Sequence, residues 1–260
     1  MQRLQRGRVA LFFEEVGGRL PPLLLVHGWC CDHTYFAPQI EYFVDRGHRV
    51  VAVDLRGHGR SDKPQQEYSM QAFADDLAWL CGKLGLSKPM VIGHSMGGIV
   101  AFDLACRYPE AIRAIVMLDA AVVLPAGAKA AIPQMVQALR GQNYREMQRQ
   151  YVASALFLPT DDQARKARIL DEMSYAPQHV MVSVMEGLHN YDPTAVVGNL
   201  SAPALYVAAD EPQPRADMAS FHDICPNLMF GQTVGSGHFC QLEVPEQVNA
   251  MIERFSKIML

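Results

Sequence analysis

The chain has 260 residues, half of them hydrophobic and 19% charged, with a formal net charge of -4. That length suits one large core, or one core carrying an insertion. The acid excess offers no basic face to nucleic acid, and no run approaches the ~18 to 20 apolar residues of a membrane span, so small molecules are the expected partners.

The N-terminal stretch MQRLQRGRVALFFEE has basic residues but only a five-residue apolar run before acid appears, which does not fit a secretory leader. The six cysteines (30, 31, 81, 106, 225 and 240) have no CxxC or other ligand spacing, and several lie in apolar segments. They read as small buried hydrophobes with free thiols, and the expected location is cytoplasmic.

From there short apolar runs alternate with helical periods, the pattern of an α/β protein with a mainly parallel sheet. Strands are predicted at 9–14, 23–26, 49–54, 90–93, 114–119, 204–210 and 228–234. Between the third and fourth, apolar residues at 70, 73, 77, 80 and 84 mark one helix face that ends at Gly85. Residues 245–260 read as a closing helix. From 122 to 196 there is no convincing strand, only helical stretches carrying Met135, Met147, Met173, Met181 and Met185. This segment is expected to be a helical insertion, with a core formed by 1–121 and 197–260. Its methionines either pack it onto that core or line a lipophilic pocket.

The fourth strand runs into Gly93-His94-Ser95-Met96-Gly97 and then a helix. A serine so placed sits on a sharp turn that exposes its hydroxyl at the carboxyl edge of the sheet, a nucleophile elbow. Positions two before and two after the serine crowd together there, which accounts for the glycines. A hydroxyl attacks only when a base takes its proton, and His238, in a glycine-flanked loop after the last strand, is the best placed of nine histidines. His27 and His58 sit in glycine-rich loops with other roles, and His94 points elsewhere on the turn. The orienting acid is expected at Asp210, where a strand ends 28 residues before His238, with Asp119 as the alternative. Backbone N–H groups of Met96 and of Trp29, in the His-Gly turn after the second strand, are the expected oxyanion donors.

In order, VHGW, DLRGHGRSD (54–62), GHSMGG, AAD and GSGHF make the whole chain resemble an α/β-hydrolase-superfamily enzyme with a helical cap. The resemblance implies an α/β-hydrolase fold, with a mostly parallel eight-stranded sheet whose second strand is antiparallel. It makes the RGHGRS loop mainly structural, so Arg56 and His58 stay outside the catalytic set. Epoxide hydrolases and haloalkane dehalogenases have aspartate at the elbow, whereas GHSMGG is most similar to esterases, lipases and thioesterases. The expected protein is therefore a serine hydrolase of small uncharged carboxylic esters, lactones or thioesters, with no metal and no cofactor. Two alternatives remain: a ligand-sensing relative with slow turnover, and a cofactor-independent dioxygenase-like enzyme.

Overall fold

The computed structural model describes residues 2–259. Its strands are β1 (Gln2–Arg6), β2 (Val9–Val16), β3 (Leu20–Val26), β4 (His48–Asp54), β5 (Met90–His94), β6 (Ala114–Leu118), β7 (Ala204–Ala208) and β8 (Met229–Gln232). They form one sheet in the order β1-β2-β4-β3-β5-β6-β7-β8. β2 is antiparallel to both of its neighbours, and the remaining pairs are parallel. All seven expected strands are present. The eighth, β1, has the sequence QRLQR and is largely exposed; with one apolar residue in five it has no alternation to read.

The helices are α1 (Ala37–Asp45), α2 (Met70–Leu84), α3 (Met96–Arg107), α4 (Ala126–Arg140), α5 (Tyr144–Ala155), α6 (Gln163–Ser174), α7 (Gln178–Asn190), α8 (Met218–Ile224), α9 (Cys240–Glu243) and α10 (Pro245–Met259). In α2 the apolar stripe Met70, Phe73, Leu77 and Leu80 is buried, the Ser69 hydroxyl accepts from the Ala72 N–H, and Gly85 ends the helix in the left-handed region. β5 and β6 are buried along their whole length, as central parallel strands require, and separate apolar clusters cover the two sheet faces. Four helices, α4 to α7, stand between β6 and β7, with α4 packed on α7 and α5 on α6.

Register determines what the sheet can present at one edge. Val26 lies opposite Gly93, His94 opposite Leu118, and Leu118 opposite Val207. The residues that follow these strand ends, His27 to Trp29, Ser95, Asp119, Ala209 and Asp210, therefore emerge together at the carboxyl edge, where open α/β sheets hold their ligands.

Candidate active site

Ser95 has φ 53° and ψ -123°, an unfavourable backbone for a side-chain-bearing residue, between the end of β5 and the start of α3. Its N–H donates to the Leu118 carbonyl at 2.9 Å, which ties the turn to β6. A Cβ at Gly93 would lie 2.1 Å from the Gly97 carbonyl oxygen, and one at Gly97 would lie 2.0 Å from that of Val26. No other residue fits either position without displacing backbone, so the two glycines permit the turn. A Cβ at Gly28 would come within 3.2 Å of the Ser95 Cβ, so the loop after β3 passes close against the serine. Met96 opens α3, where an N–H has no intrahelical acceptor.

His238 is buried, and its Nδ1 donates to Asp119 Oδ2 at 2.6 Å. A carboxylate only accepts, so Nδ1 carries the proton and Nε2 keeps the lone pair of the neutral ring. Asp119 leaves β6 with φ 45°; its own N–H donates to the Val207 carbonyl at 2.8 Å, and its Oδ1 accepts from the Ala209 N–H at 3.2 Å. Burial pushes its carboxyl above the ordinary range, opposed first by the Arg215 guanidinium and then by the Ala209 N–H.

The expectation that Asp210 meets His238 is therefore corrected. Asp210 is exposed, its Oδ2 accepts from the Gly235 N–H at 2.9 Å, and its N–H donates to the Ser236 carbonyl. It clasps the histidine loop from outside, while Asp119 contacts the imidazole. The displacement is one of chain path: β7 ends at Ala208, the next N–H already serves Asp119, and Asp210 lies beyond the turn.

His94 also touches this group. Its Nε2 donates to the His238 carbonyl at 2.8 Å, its ring centroid lies 4.7 Å from that of His238, and burial pushes its pKa down to about 3, so it is neutral. Reading the turn as pointing it elsewhere missed this contact. Arg215 had no sequence signal at all: it lies in an irregular stretch after β7, with its Nε 3.5 Å from Asp119 Oδ2.

Ser95, His238 and Asp119 line one cavity of about 160 Å³, together with Gly28, Trp29, Met96 and Arg215. Much of the rest of the wall comes from the inserted helices and the segment leading into them, through Leu124, Ala128, Ile132, Tyr151, Leu156, Met173, Met185 and Leu188. Two of the five methionines thus face the cavity, and Met181 is wholly buried in packing. A larger hollow of about 450 Å³ lies among residues 67–71, α4 and α7 and contains none of the catalytic candidates.

The remaining sequence candidates have structural partners. His27 Nε2 accepts from the Leu55 N–H at 3.0 Å, its ring packs on His58, and Arg56 pairs with Asp76. His33 donates to Asp54 at 2.8 Å. Asp32, His33 and Asp54 cluster closely enough for a metal, but the Asp54 oxygens already accept from His33 and from the Arg60 N–H. All six cysteines are free and buried. No helix among the described residues is long and apolar enough to cross a membrane.

Burial lowers the His238 pKa well below the ordinary imidazole value of 6.5, and the nearby Arg215 charge lowers it further. An imidazole acts as a base only when neutral, and one depressed in this way is neutral around pH 7 and charges only as pH falls through the depressed value. Where His238 serves as a general base, a pH profile of kcat/KM for a p-nitrophenyl ester is expected to be level around neutrality, with its acid limb below 6.5. A limb centred above 7 would contradict the environment described for His238.

A family model for the alpha/beta hydrolase fold matches residues 21–245, and the chain belongs to that family. It is 37% identical over 115 residues to the AB hydrolase superfamily protein YisY of Bacillus subtilis (strain 168), covering 44% of this chain and 42% of that one. It is 36% identical over 118 residues to the 2-(acetamidomethylene)succinate hydrolase of Mesorhizobium japonicum, covering 45% and 42%. The chain thus spans less than half the length of these curated relatives in the matched regions. Among solved structures, a thermophilic esterase from Thermogutta terrifontis superposes with a TM-score of 0.87 at 27% identity, with 100% of each chain covered.

Proposed function

We propose that this protein is a serine hydrolase of small carboxylic esters, in which Ser95 is the nucleophile, His238 the general base and Asp119 the residue that orients it. The observation that carries this reading is the 2.6 Å bond from His238 Nδ1 to Asp119 in a cavity shared with a serine held at positive φ. In the proposed cycle His238 Nε2 takes the Ser95 proton and the alkoxide attacks the carbonyl. The backbone N–H groups of Met96 and Trp29 stabilise the oxyanion, and the alcohol leaves with the proton from His238. Water then repeats the sequence on the acyl-enzyme. No step calls for a metal or an organic cofactor.

Serine at the elbow favours this chemistry over that of the epoxide hydrolases, although the chain is 24% identical over 302 residues to the bifunctional epoxide hydrolase 2 of Rattus norvegicus. The full-length likeness to an esterase supports the ester reading, and an enol-lactonase from Burkholderia xenovorans has the same fold at 18% identity.

In this reading residues 122–196 form a cap over a core of 1–121 and 197–260. The cap supplies aliphatic, methionine and aromatic wall, and the cavity is smaller than the ~300 to 1,000 Å³ of sites for drug-sized ligands. Short uncharged acyl groups are therefore the proposed substrates, and a p-nitrophenyl ester series tests this. Acetyl to butanoyl esters are expected to give kcat/KM at least about tenfold above decanoyl esters, since an acyl tail without room must displace packed side chains. Best turnover of long-chain or of charged amino-acid esters would overturn the pocket assignment.

A further inference from the structure

The triad carries a neighbour for which the ester-hydrolase reading has no use. Arg215 Nε lies 3.5 Å from Asp119 Oδ2, the same oxygen that accepts the His238 proton at 2.6 Å. That Nε is buried and finds no hydrogen-bond acceptor among the described residues, while Nη2 of the same guanidinium donates to Glu211 at 2.6 Å. The backbone that carries it is held in place as well. Pro212 and Pro214 stiffen the segment before it, Ala216 beside it is buried, and the Asp217 N–H donates to the Val123 carbonyl at 2.9 Å. Arg215 also lines the cavity that contains Ser95.

A fixed cation here has two effects on the pair. A carboxylate as deeply buried as Asp119 tends to take up a proton, and a protonated acid would no longer orient the imidazole as an acceptor of its Nδ1 proton. The positive charge opposes that uptake. The same charge repels a proton arriving at His238, which keeps the ring in the form that can act as a base.

We propose that Arg215 is a positioning residue for the triad, which by its charge keeps Asp119 an acceptor and His238 a base, and so sets the acid limit of the reaction. This rests on the Ser95–His238–Asp119 reading. Other charged and titratable groups face the same pair. From β5 comes His94, which burial keeps neutral, and from the segment after β7 comes Glu211, whose carboxyl burial pushes up despite its bond to Arg215. Beside the histidine loop, Gly237 packs against Asp161 of the insertion, and its N–H donates to Glu243 of α9. The Tyr151 and Tyr206 phenols and the Cys240 thiol are pushed up by burial and stay uncharged. Arg215 is thus the cation that bears on both groups: its Nε lies 3.5 Å from the Asp119 oxygen bound to His238 Nδ1, and its charge opposes the rise of the Asp119 carboxyl and adds to the lowering at His238.

The test is the acid limb of kcat/KM for p-nitrophenyl acetate in wild type, Arg215→Met, Arg215→Lys, Glu211→Gln and Ser95→Ala. Removing the cation in Arg215→Met is expected to move the limb up by about one pH unit, the scale of one partly screened charge at close range. Arg215→Lys keeps the charge and is expected to hold the limb near the wild-type position. Glu211→Gln leaves the guanidinium less balanced and is expected to move the limb down, which keeps the test decisive if Arg215→Met does not fold. A wild-type limb in Arg215→Met, equal shifts in the Met and Lys variants, or an upward shift in Glu211→Gln would overturn the role of Arg215. Turnover surviving in Ser95→Ala would instead overturn the triad reading beneath it.

Discussion

Ser95→Ala is expected to keep the wild-type melting curve and to lose at least about 10⁵-fold in kcat for p-nitrophenyl esters. Alanine retains the Cβ, so the turn at φ 53° is no more strained than with serine, and the flanking glycines remain in place. Only the attacking oxygen is lost. In a subtilisin-type triad, removing the nucleophile alone costs about 2 × 10⁶ in kcat, and the residual rate comes from oxyanion donors and binding. Steady-state kinetics on protein checked by circular dichroism would measure this. A variant that folds normally and keeps more than a tenth of the wild-type rate would remove Ser95 from the chemistry.

Asp119→Asn is expected to cost about 10⁴ in kcat, the loss known for the corresponding change in a serine-protease triad. An asparagine amide can donate to His238 Nδ1, which would place the ring proton on Nε2 and aim it at Ser95. The serine would then face a donor where it needs an acceptor. KM is expected to change little, because Asp119 acts on the imidazole rather than on an ester. Asp210→Asn is expected to cost less than about tenfold, since Asp210 accepts from the Gly235 N–H at the outside of the loop. Comparing the two variants at matched melting temperature decides the assignment, and a greater loss in Asp210→Asn would reverse it.

The comparison of these two aspartates marks where sequence reasoning stops. Periodicity located β2 to β8, the α2 stripe from Met70 to Leu80, and the serine turn, because each of these is written in residues adjacent along the chain. β1 was missed because it lies at the sheet edge, where QRLQR needs no apolar pattern. Both acids stand just beyond strand ends and both precede His238, and the sequence reading favours Asp210, on the strand end just before the histidine loop, over Asp119, which is the one that contacts the imidazole. What separates them is the register of β6 against β7 and the backbone at Ala209, whose N–H already serves Asp119.

The same limit applies to Arg215 and His94. Arg215 reaches Asp119 from a proline-flanked stretch without periodicity, and the contact of His94 with the His238 carbonyl joins positions 144 residues apart. The cavity wall was legible only in kind. The insertion's methionines could pack onto the core or line a lipophilic pocket, and Met185, with Leu188 of the same α7, lines the cavity. Within α4, however, Ala128 and Ile132 line the cavity, while Val136 and Leu139 are buried in packing. A helix presents a different face for every 100° of turn, and composition does not say which face meets the sheet.

The most direct test of the central claim is covalent capture of the nucleophile. The protein would be treated with a fluorophosphonate, digested, and the modified peptide located by mass spectrometry in wild type, Ser95→Ala and Asp119→Asn. The expected result is a single adduct on Ser95 in wild type, none in Ser95→Ala, and greatly slowed labelling in Asp119→Asn. An unmodified Ser95 under conditions that inactivate the enzyme, or an adduct on another residue with Ser95 untouched, would contradict the account.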